Sequence, residues 1–187
     1  MRIIAGELRG KKLASVGAGD EGAHLRPTTD RVRESLFNVL MGGAYGNPIY
    51  GKRVLDLFAG TGALGLEALS RGASHVTLVD DGRKALSLIR ENVTLCRAQD
   101  RSTVVKRDAT RLDTNSGAPY DLVFLDPPYG KGLGEDALEA ALRGGWIADN
   151  ALVVFEDEVP QMAPLGFRRL DCRKYGSTHI AFMEREL

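Results

Sequence analysis

The chain has 187 residues, of which 43% are hydrophobic and 27% are charged, and its formal net charge is zero. This length is enough for one well-buried core, and no apolar run approaches the roughly 18 residues that a membrane-spanning helix needs. Residues 1–6 lack the apolar core and cleavage site of a signal peptide, so the sequence predicts a cytoplasmic protein. The zero net charge hides an asymmetry, because the first 53 residues carry nine basic and five acidic side chains, a net charge of +4.

The amino-terminal segment predicts a short β-hairpin followed by a loop. Residues 1–16 alternate weakly between apolar and polar side chains and turn near Gly10, and residues 17–25 are rich in glycine. The basic side chains at the hairpin tip are suited to nucleic-acid phosphates: Arg9, Lys11 and Lys12.

Residues 29–41 predict an amphipathic helix, because their apolar side chains recur at helical spacing. Thr28 or Thr29 is a suitable N-cap. Arg31 and Arg33 are expected on the face of this helix that points away from the core.

From Arg53 onward, strand-like apolar runs alternate with helical runs, which indicates a largely parallel sheet covered by helices on both faces. Two final strand-like runs flank a turn at residues 175–177 and predict an antiparallel hairpin. The fold class is therefore α/β, with a doubly wound, seven-stranded and mostly parallel sheet. The predicted strands are 54–58, 76–79, 103–106, 122–125, 151–155, 167–174 and 178–183, and the predicted helices between them are 63–70, 83–96 and 135–142.

The first of these strands continues into the sequence VLDLFAGTGALG, in which Gly60, Gly62 and Gly65 form a G-x-G-x-x-G turn between a strand and a helix. Glycines allow close backbone approach to a nucleotide, and the start of the helix offers unpaired N–H groups. Asp80 ends the second strand twenty positions after Gly60, where a carboxylate can accept both ribose hydroxyls. At this point a dinucleotide such as NAD fits as well as any other ligand.

Two further carboxylates favour a cationic nucleoside ligand over a pyrophosphate. Asp56 lies within the strand end before the glycines, where its charge would repel a pyrophosphate. S-adenosyl-L-methionine has no phosphate and carries a sulfonium and an ammonium group. Asp108 ends the third strand, where it can accept a hydrogen bond from the adenine amino group.

The sequence DPPY follows the fourth predicted strand at residues 126–129. Two consecutive prolines fix the backbone, so the Asp126 carboxylate and the Pro127 carbonyl are held in advance as hydrogen-bond acceptors for an amine. The Tyr129 ring can stack on a planar base. Glu156 ends the fifth strand and is a further carboxylate near the same edge of the sheet.

The motifs DLFAGTGALG, LVD, RDA and DPPY, in this order, resemble the class I S-adenosylmethionine-dependent methyltransferases that act on amino groups of planar substrates. The resemblance implies a Rossmann-like fold and S-adenosyl-L-methionine as cofactor. It also implies catalytic roles for Asp126, Pro127 and Tyr129. The cofactor-binding residues that it implies are Asp56, Phe58, Gly60, Thr61, Gly62, Asp80, Asp108 and Ala109.

Three further segments, RIIAGELRGKKL, RPTTDRVRESLFNVL and YGSTHIAF, are similar to the bacterial 16S ribosomal RNA guanine-N2 methyltransferases of the RsmD family. This similarity implies methylation of one guanine in small-subunit ribosomal RNA, within an assembling particle. It divides the chain into an RNA-binding extension, residues 1–45, and a methyltransferase domain, residues 46–187. The substrate-binding residues that it implies are Arg9, Lys11, Lys12, Arg26, Thr28, Arg31 and Arg33.

The residues by themselves leave other functions open. The DPPY motif does not identify which planar amino group is methylated, so adenine-N6 or protein-glutamine methylation is a second possible function. A non-catalytic RNA-binding assembly factor is a third. His24, His75 and His179 are far apart in sequence and lack ligand companions, so no metal site is expected. Cys96 and Cys172 are expected to be small core residues.

Overall fold

The computed structural model describes residues 1–16 and 28–187, and within them seven strands form one sheet. In chain order the strands are β1 (Arg53–Leu57), β2 (His75–Asp80), β3 (Ser102–Lys106), β4 (Tyr120–Leu125), β5 (Ile147–Asp157), β6 (Phe167–Tyr175) and β7 (Thr178–Arg185). The helices are α1 (Asp30–Met41), α2 (Ala63–Ser70), α3 (Arg83–Leu95) and α4 (Leu133–Arg143). Arg26 and residues 17–25, for which the sequence predicted RNA contact and a loop, lie outside the described residues.

The strands run in the spatial order β3-β2-β1-β4-β5-β7-β6. All pairs from β3 to β5 are parallel, whereas β7 pairs antiparallel with both β5 and β6. This confirms the predicted doubly wound sheet with an antiparallel hairpin at its end. Such a sheet follows from strands that are apolar on both faces, as β1 and β4 are, because both faces must then be covered by helices.

Alternate side chains of each strand enter two different hydrophobic clusters. Val54 and Phe124 belong to the cluster that contains α2, α3, α1 and Ile3 of the amino-terminal segment. Leu55 and Leu125 belong to the cluster on the opposite face, which is closed by α4. The segments that the sequence assigned to an extension therefore share a core with the sheet.

The predicted amino-terminal β-hairpin is present only as a chain reversal with one antiparallel bridge, between Arg2 and Lys12. The N–H groups of Ile4 and Ala5 both donate to the Glu67 carboxylate of α2, at 2.9 and 3.0 Å. The reversal is therefore fastened to α2 rather than built as an independent strand pair.

Helix α1 begins as predicted, with the Thr29 hydroxyl accepting from the Val32 N–H at 3.3 Å. The prediction that Arg33 lies on its outer face is wrong, because Arg33 is fully buried together with Leu36, Phe37 and Leu40. These four positions are spaced i, i+3, i+4 and i+7, which is the stripe that a helix turns toward a core.

Cys96 is buried as predicted, whereas Cys172 is only half-buried because β6 is an edge strand. Among the described residues, none of the helices combines the length and the apolar character that crossing a lipid bilayer requires.

Candidate functional site

The candidate site is a cleft at the carboxyl ends of the central strands. β2 and β3 lie on one side of β1 and β4 and β5 lie on the other, so the direction in which strands are added reverses at β1. Parallel α/β sheets bind ligands at such a switch in strand order. Leu57 of β1 pairs with Leu125 of β4, which places the glycine turn and the DPPY sequence side by side. The cleft between them has a volume of about 710 Å³, within the usual range for small-molecule sites.

Most of the site residues predicted from the sequence line this cleft. They come from the glycine turn, the end of β2, the segment after β4 and the start of α1. The ones that line it are Thr28, Arg33, Asp56, Phe58, Gly60, Thr61, Asp80, Asp126, Pro127 and Tyr129.

The glycine turn is held by the Asp80 carboxylate. Its two oxygens accept from the N–H groups of Gly60 and Gly82, each at 2.9 Å. Burial raises the pKa of Asp80, and these two backbone hydrogen bonds oppose the effect. Asp80 therefore fixes the loop and also presents a carboxylate to the cleft.

The three glycines of the motif have different tasks. Gly60 and Gly62 have positive φ angles of 60° and 80°, and Gly62 precedes the first residue of α2 rather than lining the cleft. A Cβ atom on Gly65 would lie 2.6 Å from Val76 Cγ2 and 2.7 Å from Leu78 Cδ2. Gly65 therefore allows α2 to pack directly on β2, whereas Gly60 and Gly62 shape the turn.

Phe58 also has a positive φ angle, 58°, although it carries a side chain. This conformation is uncommon outside glycine, and it is concentrated at functional turns. It lets the chain leave β1 sharply, so that Phe58 lines the cleft just before Gly60.

Asp56 is buried in the floor of the cleft, and its Oδ2 accepts from the Gly65 N–H at 2.9 Å. Burial raises the pKa of Asp56 to about 8, because the hydrogen bond from Gly65 offsets only part of the lost hydration. The carboxyl is thus largely protonated at neutral pH. A cation in the cleft would favour its ionised form.

Asp126 lies in the opposite wall, directly after β4. Burial raises its pKa well above the ordinary value, and the negative charges of Glu156 and Asp56 raise it further. The Thr28 hydroxyl opposes this shift by hydrogen bonding.

Tyr129 contacts a second carboxylate, Glu156. Its hydroxyl donates to Glu156 Oε1 at 3.3 Å and lies 3.5 Å from Thr178 Oγ1. Burial raises the pKa of Tyr129 to about 12, so the phenol stays protonated and remains a donor.

Asp108 and Ala109 do not line the cleft formed by the described residues. The Asp108 Oδ1 atom caps a short 3₁₀ turn by accepting from the N–H and the hydroxyl of Thr110, at 2.9 and 2.7 Å. The hydroxyl bond is the main reason that the pKa of Asp108 is lowered. This local capping role is typical of an aspartate two residues before a threonine.

Arg33 is the basic residue whose position differs most from the prediction. Its guanidinium lies beneath the cleft, 3.0 Å from Asp30 Oδ1 and 3.9 Å from Glu67 Oε2, and it also donates to the Arg2 carbonyl. Burial lowers its pKa. Its Nε and Nη1 atoms find no hydrogen-bond acceptor among residues 1–16 and 28–187.

The other predicted substrate-binding residues within the described ranges are distributed over the surface. Arg9, Lys11, Lys12 and Arg31 are exposed. Thr28 lies at the cleft itself, where its hydroxyl donates to Glu156 Oε2 at 3.2 Å.

Sequence reasoning missed the cleft residues Arg83, Lys84 and Lys131. It noted Glu156 as a strand-end carboxylate but did not include it among the predicted site residues. The signal for Glu156 was the one that identified Asp126, a charged residue directly after an apolar strand. The described residues contain no cluster of three or more His, Cys, Asp or Glu side chains arranged to hold a metal ion.

Comparison with known proteins agrees with this architecture. The family model described as "Conserved hypothetical protein 95" matches residues 1–184. The chain is 41% identical over 164 residues to "Ribosomal RNA small subunit methyltransferase D" of Escherichia coli, covering 88% of this chain and 78% of that protein. It is 40% identical over 161 residues to the protein of the same name from Haemophilus influenzae, covering 84% and 79% respectively.

The solved structure of the Escherichia coli protein YhhF superposes with a TM-score of 0.82 at 38% identity, covering all of this chain and 98% of that one. Both the sequence and the fold therefore match over nearly the whole length. The chain belongs to the family of ribosomal RNA small subunit methyltransferase D.

Proposed function

We propose that this methyltransferase transfers a methyl group from S-adenosyl-L-methionine to the exocyclic N2 amine of a guanine in small-subunit ribosomal RNA. The observation that carries the proposal is the shared cleft, in which Asp126 and Tyr129 face Asp56 and Asp80 across the switch in strand order. The names of the relatives from Escherichia coli and Haemophilus influenzae supply the class of RNA.

The charges of the cleft fit this cofactor. Asp56 and Asp80 are carboxylates suited to its cationic groups and its ribose hydroxyls, and each already holds a backbone N–H of the glycine turn. Arg33 supplies a buried cation with two N–H-bearing nitrogens that lack acceptors among the described residues, which suits the cofactor carboxylate. A ligand that carries both a cation and a carboxylate therefore meets its opposite charges in one cleft.

When bound, S-adenosyl-L-methionine supplies a methyl group activated by a positively charged sulfur. The protein must then hold an amine whose lone pair is delocalised into the guanine ring. The Asp126 carboxylate and the Pro127 carbonyl accept hydrogen bonds from its two N–H groups, which favours a pyramidal nitrogen. Because Pro127 and Pro128 fix the backbone, these acceptors are organised before the substrate arrives.

The raised pKa of Asp126 also suits the fate of the amine proton. The amine nitrogen must lose a proton when it gains a methyl group, and a carboxylate whose pKa is raised is a stronger base than an ordinary one. Tyr129 stacks on the base, which contributes about 1–3 kcal/mol in comparable nucleic-acid sites.

Residues 1–45 form the RNA-binding part of the proposal. The exposed side chains of Arg9, Lys11, Lys12 and Arg31 provide phosphate contacts. Arg26, which is outside the described residues, is proposed from the sequence alone to contact RNA. A base in a duplex must be extruded to reach Asp126, and phosphate contacts position the RNA for that step.

The proposal is tested by incubating the protein with methyl-labelled cofactor and small ribosomal subunits from cells that lack this methylation. The RNA is then digested to nucleosides and separated by chromatography. We expect label in N2-methylguanosine. Label only in N6-methyladenosine, label in protein, or no label at all would reject the proposed function.

The same assay on deproteinised RNA and on intact subunits tests the proposed partner. We propose that the substrate is an assembling cytoplasmic particle, because a protein with no net charge has little long-range electrostatic attraction to naked RNA. Equal rates on both substrates would reject a requirement for the particle.

A further inference from the structure

A second, smaller cavity adjoins the cleft beyond Tyr129. Its volume is about 190 Å³, and it shares Thr28 and Tyr129 with the cleft. Its inner wall is Glu156, which is 7% exposed, and its outer wall is the turn between β6 and β7 at residues 175–178. A base that stacks on Tyr129 with its amine at Asp126 extends toward this cavity.

Glu156 and Asp126 are neighbours across the sheet. Leu125 of β4 pairs with Phe155 of β5 in parallel register, so Asp126 and Glu156 follow paired positions on adjacent strands. Adjacent strands are about 4.8 Å apart. Because Leu125 and Phe155 both point into the α4 side of the core, the next residues point together toward α1 and Thr28.

The hydrogen-bonding groups beside the amino group differ between guanine and adenine, and this difference decides which base can bind to a pair of carboxylates. Guanine presents two adjacent donors there, the N1–H and the N2 amino group. Adenine presents its N6 amino group beside N1, which is an acceptor and would meet a carboxylate unfavourably.

We propose that Glu156 selects guanine by accepting a hydrogen bond from the N1–H of the base while Asp126 accepts from the N2 amine. This inference rests on the proposed function and names the residue that gives it its specificity. In this proposal, the DPPY sequence positions the amine, and Glu156 on the neighbouring strand β5 favours bases that carry a second hydrogen-bond donor next to the amine.

The surroundings of Glu156 support this role. The Thr28 and Tyr129 hydroxyls donate to its two oxygens at 3.2 and 3.3 Å, which fixes the orientation of the carboxylate. Each carboxylate oxygen can accept more than one hydrogen bond. The mutual repulsion of Glu156 and Asp126, visible in the raised pKa of Asp126, is relieved when two donors are placed between them.

The experiment compares two bases that share the amine and differ at N1. Small-subunit RNA is joined by splint ligation with either guanosine or 2-aminopurine riboside at the nucleotide that the wild-type protein methylates, and is reconstituted with small-subunit proteins. 2-Aminopurine keeps the 2-amino group, but its N1 is an acceptor. kcat/KM is measured for the wild type, Glu156→Gln, Glu156→Asp and the exposed control Glu158→Gln.

We expect the wild type and Glu158→Gln to prefer guanosine strongly. Glu156→Gln should lose roughly 10- to 100-fold on guanosine, the scale of a lost base contact. It should lose much less on 2-aminopurine, because the glutamine NH2 group can donate to N1. Glu156→Asp should keep the preference for guanosine at a reduced rate, since it retains the carboxylate.

Equal losses on both bases in Glu156→Gln would overturn the inference, because they would mean that Glu156 only positions Thr28 and Tyr129. Thermal unfolding and cofactor binding of each variant identify losses that come from misfolding, and the ratio between bases is independent of the folded fraction. Failure of the wild type to methylate guanosine would overturn the proposed function itself, an outcome distinct from an unchanged base preference.

Discussion

Replacing Asp56 by Asn should flatten the dependence of stability on pH. The pKa of Asp56 is raised from 3.8 to about 8 by burial, so the folded protein keeps a proton that the unfolded chain releases above about pH 4. Stability contributed by this group is therefore lost as pH rises from about 4 to about 8, and the loss ends above the folded-state pKa. Asn has nearly the same shape, can accept from the Gly65 N–H and does not titrate.

The size of the effect follows from one proton per molecule. Each pH unit within that window costs about 1.4 kcal/mol, so the wild type should lose about 2.5 kcal/mol more than Asp56→Asn between pH 5 and pH 7. The free energy of unfolding is measured by urea titration at pH 5, 6 and 7. Asp80 and Asp126 are present in both proteins, so their contributions largely cancel in the comparison. Parallel pH profiles would show that Asp56 is ionised in the folded protein and that the reasoning from burial is wrong.

Three further substitutions test the packing and the chemistry. Gly65→Ala should lower the free energy of unfolding, measured by urea titration, by about 1–3 kcal/mol, because the new Cβ would overlap Val76. In the control Gly117→Ala the nearest contact of the Cβ is at 3.7 Å, so the change should be under about 0.5 kcal/mol. Equal effects of the two substitutions would contradict the packing argument. Glu67→Ala removes one of the two carboxylates beside the buried Arg33 and the acceptor of the Ile4 and Ala5 N–H groups, so it should cost about 3–5 kcal/mol and give early proteolysis near the amino terminus. An unchanged cleavage pattern would show that Glu67 does not fasten that segment. Asp126→Asn should abolish turnover but change the free energy of cofactor binding, measured by calorimetry, by no more than about 1–2 kcal/mol. Equal loss of turnover and of cofactor binding would show that Asp126 does not act mainly on the substrate amine.

The predictable part of the structure was the part with a strong local pattern. The glycine turn, Asp80 and the DPPY sequence lie at strand ends, and a parallel sheet gathers such ends at one edge, so sequence order alone placed them together. Asp108 also follows a strand of this sheet but does not line the cleft, and its Oδ1 accepts local hydrogen bonds from Thr110.

Arg33 shows a different limit. Its charge suggested an outer position, but it begins the i, i+3, i+4, i+7 series completed by Leu36, Phe37 and Leu40, and spacing was the better guide. Asp30 is a local partner, but the carboxylate that is buried with Arg33, Glu67, lies 34 positions away in the sequence and on another helix. Long-range pairing of this kind has no local signature, which is why the amino-terminal segment appeared separable in the sequence and shares the core in the structure.

The concentration of acidic groups around the cleft is costly to the folded protein and is explained by what the cleft must bind. Burial raises the pKa values of Asp56 and Asp126, and the negative charge of Glu156 raises that of Asp126 further. A protein selected for stability alone would replace them by apolar side chains. Each of them instead faces a different donor or cation in the proposed reaction, with Asp56 on the cofactor side, Asp126 at the amine and Glu156 at the neighbouring N1–H. In the proposed reaction, the unfavourable concentration of acidic groups in the cleft is relieved first by the cofactor and then by the base. Binding energy is thereby directed to the two features that distinguish this reaction, a cationic methyl donor and a ring with two adjacent N–H groups.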